Sequence, residues 1–132
     1  MISILFQTES HYLVNRVKIK DAITKTLVGQ VKRDAEVSVS IIGDRQMKRL
    51  NSQYRNIHST TDVLSFPLQD SSSPVKTQFV DAPDGILRLG DILVSFPQAV
   101  ALATEENTLV DDTIVELALH GLNHLLGIHH PE

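Results

Sequence analysis

The feature that most constrains the fold is an almost wholly apolar stretch near the end of this 132-residue chain. From residue 114 to residue 126 the sequence IVELALHGLNHLL carries apolar side chains on nearly every side of an α-helix. A helix of this kind is stable only when other elements surround it, so we expect it at the centre of the fold. We predict that it begins near Asp111 or Asp112.

The rest of the chain supplies elements that could surround such a helix. Alternating or apolar runs predict strands at residues 2–6, 35–43, 60–67 and 90–97. Helical spacing predicts helices at residues 12–31, from residue 44 (with Asp44 as its N-cap) and at 97–106. Residues 69–85 have the composition of a loop. Four strands and four helices in mixed order predict one α+β or α/β domain over residues 1–132.

The composition limits the chemistry and the location of the protein. The chain has no cysteine, so it can form neither disulfides nor thiolate metal sites, and a metal would need nitrogen or oxygen ligands. The opening MISILFQTES lacks the basic segment and cleavage site of a secretory signal, and no apolar run is long enough to span a bilayer. We therefore expect a cytoplasmic protein without a membrane partner.

The net charge of −4 hides an asymmetry along the chain. Residues 1–80 contain eleven Lys and Arg against seven Asp and Glu, whereas residues 81–132 contain one Arg against nine acids. The two parts thus carry +4 and −8. A basic patch of this kind is compatible with a nucleic-acid partner but is equally compatible with two solvated faces of opposite sign.

The segment HGLNHLLGIHH (residues 120–130) has the features of a metal site. His120 and His124 are one helical turn apart, so both rings project from the same helix face. Gly127 permits a left-handed turn at the helix end, after which His130 could reach the same point as a third ligand. This spacing predicts a three-nitrogen zinc site with a fourth position open to water. The alternative is a set of core or surface histidines, and we expect His129 to be exposed or to lie behind the ligands.

The same spacing matches the metzincin protease signature H-E-x-x-H-x-x-G-x-x-H at each histidine and at the glycine. Those proteases need a glutamate directly after the first histidine as general base, and this chain has Gly121 there. The sequence therefore disfavours a peptidase, although zinc can activate water without that glutamate.

Three segments in order resemble the YbeY family of metal-dependent endoribonucleases. HGLNHLLGIHH resembles its H-G-x-x-H-x-x-G-x-[DH]-H motif, residues 50–67 (LNSQYRNIHSTTDVLSFP) its L-N-x-x-Y-R…T-D-V-L-S-F-P block, and residues 89–95 (LGDILVS) its L-G-D-I-x-I-S block. The resemblance covers most of the chain from residue 36 onward. Only the combination of the three segments is specific.

The resemblance implies an α+β, zincin-like domain in which helices pack on a mixed four-stranded sheet and the metal helix lies at the centre. It implies His120, His124 and His130 as the metal ligands and Arg55 as the catalytic arginine. The family commonly has an aspartate where this chain has His129, so a carboxylate role at that position does not carry over.

The function implied by the resemblance is zinc-dependent, single-strand-selective cleavage of RNA in 16S rRNA maturation and ribosome quality control. Zinc could be replaced by another divalent transition metal. The implied partners are single-stranded RNA or rRNA and the ribosome or its small subunit, with no DNA. Two alternatives stay open: a zincin-like hydrolase of a peptide or amide bond, and a non-catalytic ribosome-assembly factor with a structural metal.

Arg55 suits a phosphate because its planar guanidinium can bind two oxygens, although an exposed arginine at a helix end would look the same in sequence. Four other polar residues are open to more than one interpretation. Asn51 could orient substrate or be a surface residue. Thr61 and Asp62 could take part in the chemistry but are expected to organise the start of a strand. Glu116 could contact the metal ligands but is expected to be a solvated helix carboxylate. His58 has two interpretations: a histidine unrelated to the site, or one that approaches it from the neighbouring segment.

Overall fold

The computed structural model describes residues 1–9, 11–68 and 85–129, the last two as backbone only. These residues form four strands and four helices in mixed order. In chain order they are β1 (Ile2–Thr8), α1 (Arg16–Gln30), β2 (Ala35–Ile42), α2 (Asp44–Arg55), β3 (Val63–Pro67), β4 (Leu87–Ser95), α3 (Phe96–Glu106) and α4 (Val110–His129). The predicted α+β architecture of a four-stranded mixed sheet with four helices is confirmed.

The strands form one sheet in the order β1-β2-β4-β3. β1 and β2 pair in parallel, β2 and β4 pair in parallel, and β3 runs antiparallel to β4. β4 is therefore a central strand although it is the last one in the sequence. The short β3 forms one edge of the sheet and ends at Pro67, which lacks the N–H that a central strand would use.

A β-bulge in β4 fixes the register between the central strands. Glu36 pairs with Arg88 and Val37 with Gly90, so Leu89 is the extra residue on β4. Gly90 has a φ of 138°, and a Cβ at this position would lie 2.2 Å from the carbonyl oxygen of Phe66 on β3. Only glycine fits this backbone and this close approach of two strands.

α4 lies at the centre of the main core, as its composition predicts. It packs against β3, β4, α1 and α3, and Ile114, Ala118, Leu122 and Leu125 are completely buried. The opposite face of the sheet is covered by α2, where a smaller cluster contains Met47, Leu64 and Phe66. Helices therefore cover both faces of the sheet, with three of them on one side.

The structure corrects the predicted start of α1, which the sequence pattern places at residue 12. The helix begins at Arg16, after Asn15, whose side chain accepts a hydrogen bond from the N–H of Lys18. Its buried face consists of Ile19, Ile23 and Leu27. The apolar residues Leu13, Val17 and Val28, which lie within the range predicted as helical (12–31), are exposed. Because α1 packs on the sheet along one narrow stripe, the other apolar positions remain in solvent.

The prediction of a left-handed turn at Gly127 is wrong. α4 continues through this residue to His129, and Gly127 is not among the residues with positive φ. Glycine adopts right-handed helical and left-handed conformations about equally well, so its presence permits a turn without requiring one.

Two further expectations concern membrane-spanning helices and the loop. No helix in the described ranges has the length and apolar character needed to cross a membrane. The loop predicted at residues 69–85 lies, except for Gly85, outside the residues that the structure describes.

Candidate functional site

A cleft of about 790 Å³ lies where the end of α2 approaches β3 and the exposed side of α4, with the end of α3 at its rim. It is lined by Tyr54, Arg55, Thr61, Asp62, Val63, Leu64, Ser65, Phe66, Leu102, Glu106, Glu116, Leu117, His120, Gly121 and His124. Among them are Arg55, His120 and His124, the predicted catalytic and metal-binding residues within the described part of the chain.

α4 presents His120 and His124 to this cleft. Both imidazoles are exposed and line it, whereas Ala118, Leu122 and Leu125 on the same helix are completely buried. The start of α4 is fixed to α1, because the carboxylate of Asp112 pairs with Lys18. A helix held by core packing keeps the two rings on one face, one turn apart.

Gly121 allows α4 to lie directly against the sheet at the base of the cleft. A Cβ at this position would lie 2.9 Å from Ile92 Cγ2 and 3.5 Å from Val63 Cγ2. Any larger side chain must begin with that Cβ, so a glutamate at residue 121 would require the side chain of Ile92 to shift. The position that carries the general base in metzincins is thus a packing contact in this chain.

Arg55 reaches the cleft from the opposite direction, as the last residue of α2. Asn56 follows with a left-handed backbone (φ 57°) and ends the helix by donating its N–H to the carbonyl oxygens of Asn51 and Ser52. Tyr54 holds the same turn to the sheet through an edge-to-face contact with Phe66, at 5.5 Å between ring centroids. The Arg55 side chain is exposed and makes no hydrogen bond or ion pair with any residue that the structure describes.

Asn51 is neither a substrate-orienting residue nor a surface residue, the two roles that its sequence position suggests. It is only 1% exposed and does not line the cleft. Its side-chain nitrogen donates to the carbonyl oxygen of Ser59 at 2.9 Å, and its backbone oxygen accepts from Ile57. Asn51 therefore holds the loop between α2 and β3 against the helix, and this loop leads directly to Thr61 and Asp62 in the cleft wall.

Asp44 joins the elements around the cleft instead of capping α2. The N-cap residue is Gly43, and the carboxylate of Asp44 accepts hydrogen bonds from Thr60 (2.9 Å), Ser95 (2.7 Å) and Gln98 (3.1 Å). Burial raises the pKa of this carboxyl, but the three hydrogen bonds outweigh it and leave the pKa below its ordinary value. One carboxylate thus ties α2 to the following loop, to the end of β4 and to α3.

The remaining sequence predictions have mixed outcomes. Thr61, Asp62 and Glu116 all line the cleft; the backbone of Asp62 also pairs with Ser95, as expected for the start of a strand. His58 does not line the cleft, and its Nδ1 lies 2.7 Å from the hydroxyl of Ser52. His130 lies outside the described residues, as does the side chain of His129. Among the described residues, no three His, Asp or Glu side chains are grouped as a metal site.

Sequence reasoning missed the contribution of α3. Leu102 and Glu106 form part of the cleft wall, and nothing in their sequence spacing indicates it, because they reach the cleft only through the packing of α3 on α4. With Glu116, Glu106 makes the α3–α4 side of the cleft acidic, whereas Arg55 on the α2 side is the one Lys or Arg among the lining residues. An anion in the cleft is therefore attracted to the α2 side and repelled by the α3–α4 side.

Comparison with known proteins agrees with this fold. A solution structure of a protein from Thermotoga maritima superposes with a TM-score of 0.59 at 24% sequence identity, over 92% of this chain and 71% of that one. At this identity the likeness concerns the fold alone.

Curated sequences extend the comparison. An endoribonuclease YbeY from Dehalococcoides mccartyi (strain ATCC BAA-2266 / KCTC 15142 / 195) is 33% identical over 99% of this chain and 78% of its own length. One from Moorella thermoacetica is 38% identical over 89% of this chain and 71% of its own length. One from Synechococcus sp. (strain JA-3-3Ab) is 38% identical over 74% of this chain, which spans only 58% of that relative. The family model described as endoribonuclease YbeY matches residues 5–132, and the chain therefore belongs to the endoribonuclease YbeY family.

Proposed function

We propose that this protein is a metal-dependent endoribonuclease that cleaves single-stranded RNA in the cleft between α2 and α4. The observation that carries the proposal is the meeting of Arg55 with His120 and His124 around one cleft, although 65 residues separate Arg55 from His120 in the sequence. Membership of a family named for endoribonuclease activity supports RNA as the substrate.

A divalent metal, zinc in our proposal, is held by His120, His124 and His130. Two exposed imidazoles on one face of a rigid helix suit this role, since neutral imidazole is a preferred ligand of zinc. A helical continuation would rotate residue 130 about 240° away from residue 124, so ligation by His130 requires α4 to end before it. Zinc in such a site supplies activated water at neutral pH.

The protein's own groups then bind and orient the RNA. The guanidinium of Arg55, which no described residue engages, donates two parallel hydrogen bonds to the scissile phosphate and stabilises the charge that develops on its oxygens. Tyr54 and Phe66 hold the helix end that carries Arg55, and the Asp44 hydrogen bonds hold the cleft walls in register. A positioned donor of this kind acts without reorganisation during the reaction.

The cellular role in this proposal is maturation of 16S rRNA and ribosome quality control in the cytoplasm, with the ribosome or its small subunit as partner and no role for DNA or membranes. Hydrolysis of a peptide bond is less favoured, because residue 121 is a glycine packed against Ile92 and Val63 and cannot supply the general base that metzincins carry there. A non-catalytic assembly factor would leave Arg55 without a chemical role.

The test is single-turnover cleavage of single-stranded RNA, duplex RNA and casein by zinc-loaded protein, with and without chelator. We expect cleavage of the single strand alone, abolished by chelation.

Arg55→Ala should keep its fold and zinc but lose about 10²–10³ in rate. Arg55→Lys should recover only part of the activity, since an ammonium lacks the bidentate fork. The control is Lys25→Ala, an exposed lysine on α1 that does not line the cleft. Activity of Arg55→Ala within twofold of the parent would refute a catalytic role for Arg55.

The ligand set needs its own measurement. Elemental analysis should find nearly no metal in His120→Ala and His124→Ala, little in His130→Ala, and a full complement in His129→Ala. Full zinc in His130→Ala together with none in His129→Ala would reverse the assignment of the third ligand.

A further inference from the structure

The exposed face of α2 has a charge pattern that the proposed chemistry does not use. Arg45, Lys48, Arg49 and Arg55 are all exposed. At 100° per residue they fall within an arc of about 120°, and Met47 points to the opposite side, into the core. The helix thus presents a cationic face to solvent, with Arg45, Lys48 and Arg49 in its first half and Arg55 at its end, which we refer to as the α2 ridge.

The charges of the α2 ridge are not neutralised within the described part of the protein. None of its four cations makes a hydrogen bond or an ion pair with a described residue. Asp44 and Glu9 line the same surface hollow as Arg45 and Arg49 but form no ion pair with either. Asp44 accepts hydrogen bonds from three side chains, and Glu9 accepts one from the backbone N–H of Gly43 at 3.2 Å. Like charges on one face of a helix repel one another, so the ridge favours binding of an anionic ligand.

The α2 ridge connects two concave parts of the surface. Arg55 lines the main cleft at one end, and Arg45 and Arg49 line a smaller hollow of about 370 Å³ at the other. The rise of an α-helix places Lys48 about 10 Å and Arg45 about 15 Å from Arg55 along the axis. The opposite wall of the cleft carries Glu106 and Glu116, which repel phosphates. Among the described residues that line the two concave parts, the Lys and Arg side chains that an RNA backbone can meet all belong to α2.

We propose that the α2 ridge binds the sugar–phosphate backbone of the RNA on one side of the bond that is cleaved, and this inference rests on the proposed function. Lys48 and Arg49 contact phosphates beyond the scissile one, and Glu106 and Glu116 keep the strand from crossing to α3 and α4. The ridge contributes affinity and strand direction, not chemistry. A dinucleotide is too short to reach it.

The test compares two double variants with the same change in net charge, from −4 to −6. Lys48→Ala/Arg49→Ala removes the centre of the ridge, and Lys20→Ala/Lys25→Ala removes two exposed lysines of α1. The affinity for a fluorescent single-stranded RNA long enough to cover α2 is measured by anisotropy between 50 and 200 mM salt, with chelator present to prevent cleavage. Each phosphate contact contributes about −0.7 to the slope of log affinity against log salt.

We expect the ridge variant to lose two contacts. Over that fourfold change in salt, the affinity of the parent should then fall about sevenfold more than that of the ridge variant. The α1 variant should keep the slope of the parent, and cleavage of a dinucleotide by the zinc-loaded protein should be the same in all three. Equal slopes for the parent and the ridge variant, equal losses in both double variants, or a parent that does not bind RNA would each overturn the inference. A parent that binds RNA with the expected slopes but cleaves none would instead refute the proposed function.

Discussion

The bulge at Gly90 allows a quantitative prediction about the sheet beneath the cleft. In Gly90→Ala the new Cβ would lie 2.2 Å from Phe66 O, 3.0 Å from Pro67 Cα and 3.1 Å from Leu68 N. All three are backbone atoms, so no side-chain rotation can relieve the contacts, and β3 must move away from β4.

The cost has two parts. A φ of 138° is strained for any residue with a Cβ, at about 1–3 kcal/mol. Moving β3 weakens neighbouring backbone hydrogen bonds, such as that from Leu68 N to Leu89 O at 3.3 Å, each of which contributes about 1 kcal/mol. We expect a total loss of about 3–5 kcal/mol, a large share of the roughly 5–15 kcal/mol stability of a typical domain.

Urea unfolding followed by circular dichroism measures this loss. With a slope of roughly 2 kcal/mol per molar urea, the midpoint of Gly90→Ala should fall by roughly 2 M. Gly29→Ala is the matched control, because a Cβ there meets nothing within 4 Å and lies in a helix, so it should stabilise the protein by about 0.5–1 kcal/mol. A free energy of unfolding for Gly90→Ala within 1 kcal/mol of the parent would refute the bulge argument.

Three further predictions concern the metal helix and the sheet. Zinc should raise the melting temperature of the parent but not that of His124→Ala, whereas His58→Ala, outside the cleft, should respond as the parent does; equal zinc responses in all three would count against the cleft as the metal site. Gly127→Ala should stabilise the protein by about 1 kcal/mol without zinc, because α4 is helical there; destabilisation would show that residue 127 adopts a left-handed conformation instead. Burial raises the pKa of Asp91, so its ionised form is disfavoured in the folded state, and stability from this group should increase as the pH falls through the folded pKa. Asp91→Asn should therefore stabilise the protein at pH 7 and lose that advantage in acid, as urea midpoints at several pH values can measure; no gain at pH 7 would contradict the burial argument.

The sequence predicts best those elements whose pattern allows only one environment. The helix α4 had to be central because it is apolar on nearly every side, and Val37, Val39 and Ile41 had to share a buried face because they alternate with serines. Arg55 and the histidines could be assigned to one site only through the family resemblance, since no periodicity relates the end of α2 to α4.

Other roles depend on contacts that no local pattern encodes. An aspartate at a helix start is usually an N-cap, and only the arrangement of Thr60, Ser95 and Gln98 around Asp44 shows that it joins four elements. Asn51 resembles a surface residue in sequence, but the loop between α2 and β3 folds over it and buries it. The sequence alone presents Gly121 as a missing catalytic glutamate, whereas the structure shows that this position packs against Ile92 on β4.

The position of β4 in the sheet also determines the order in which the fold can assemble. Ala35 on β2 pairs with Leu87 on β4, 52 residues later, and β3 pairs within the sheet only with β4, which follows it in the chain. No strand pair can therefore form as a tight local hairpin, and folding should be slow, in the range typical of proteins with distant contacts. Until residues 87–95 have been synthesised, one edge of β2 and the whole of β3 lack partners. A chain whose synthesis stalls before β4 would expose unpaired strands, which makes that intermediate the species most prone to aggregation.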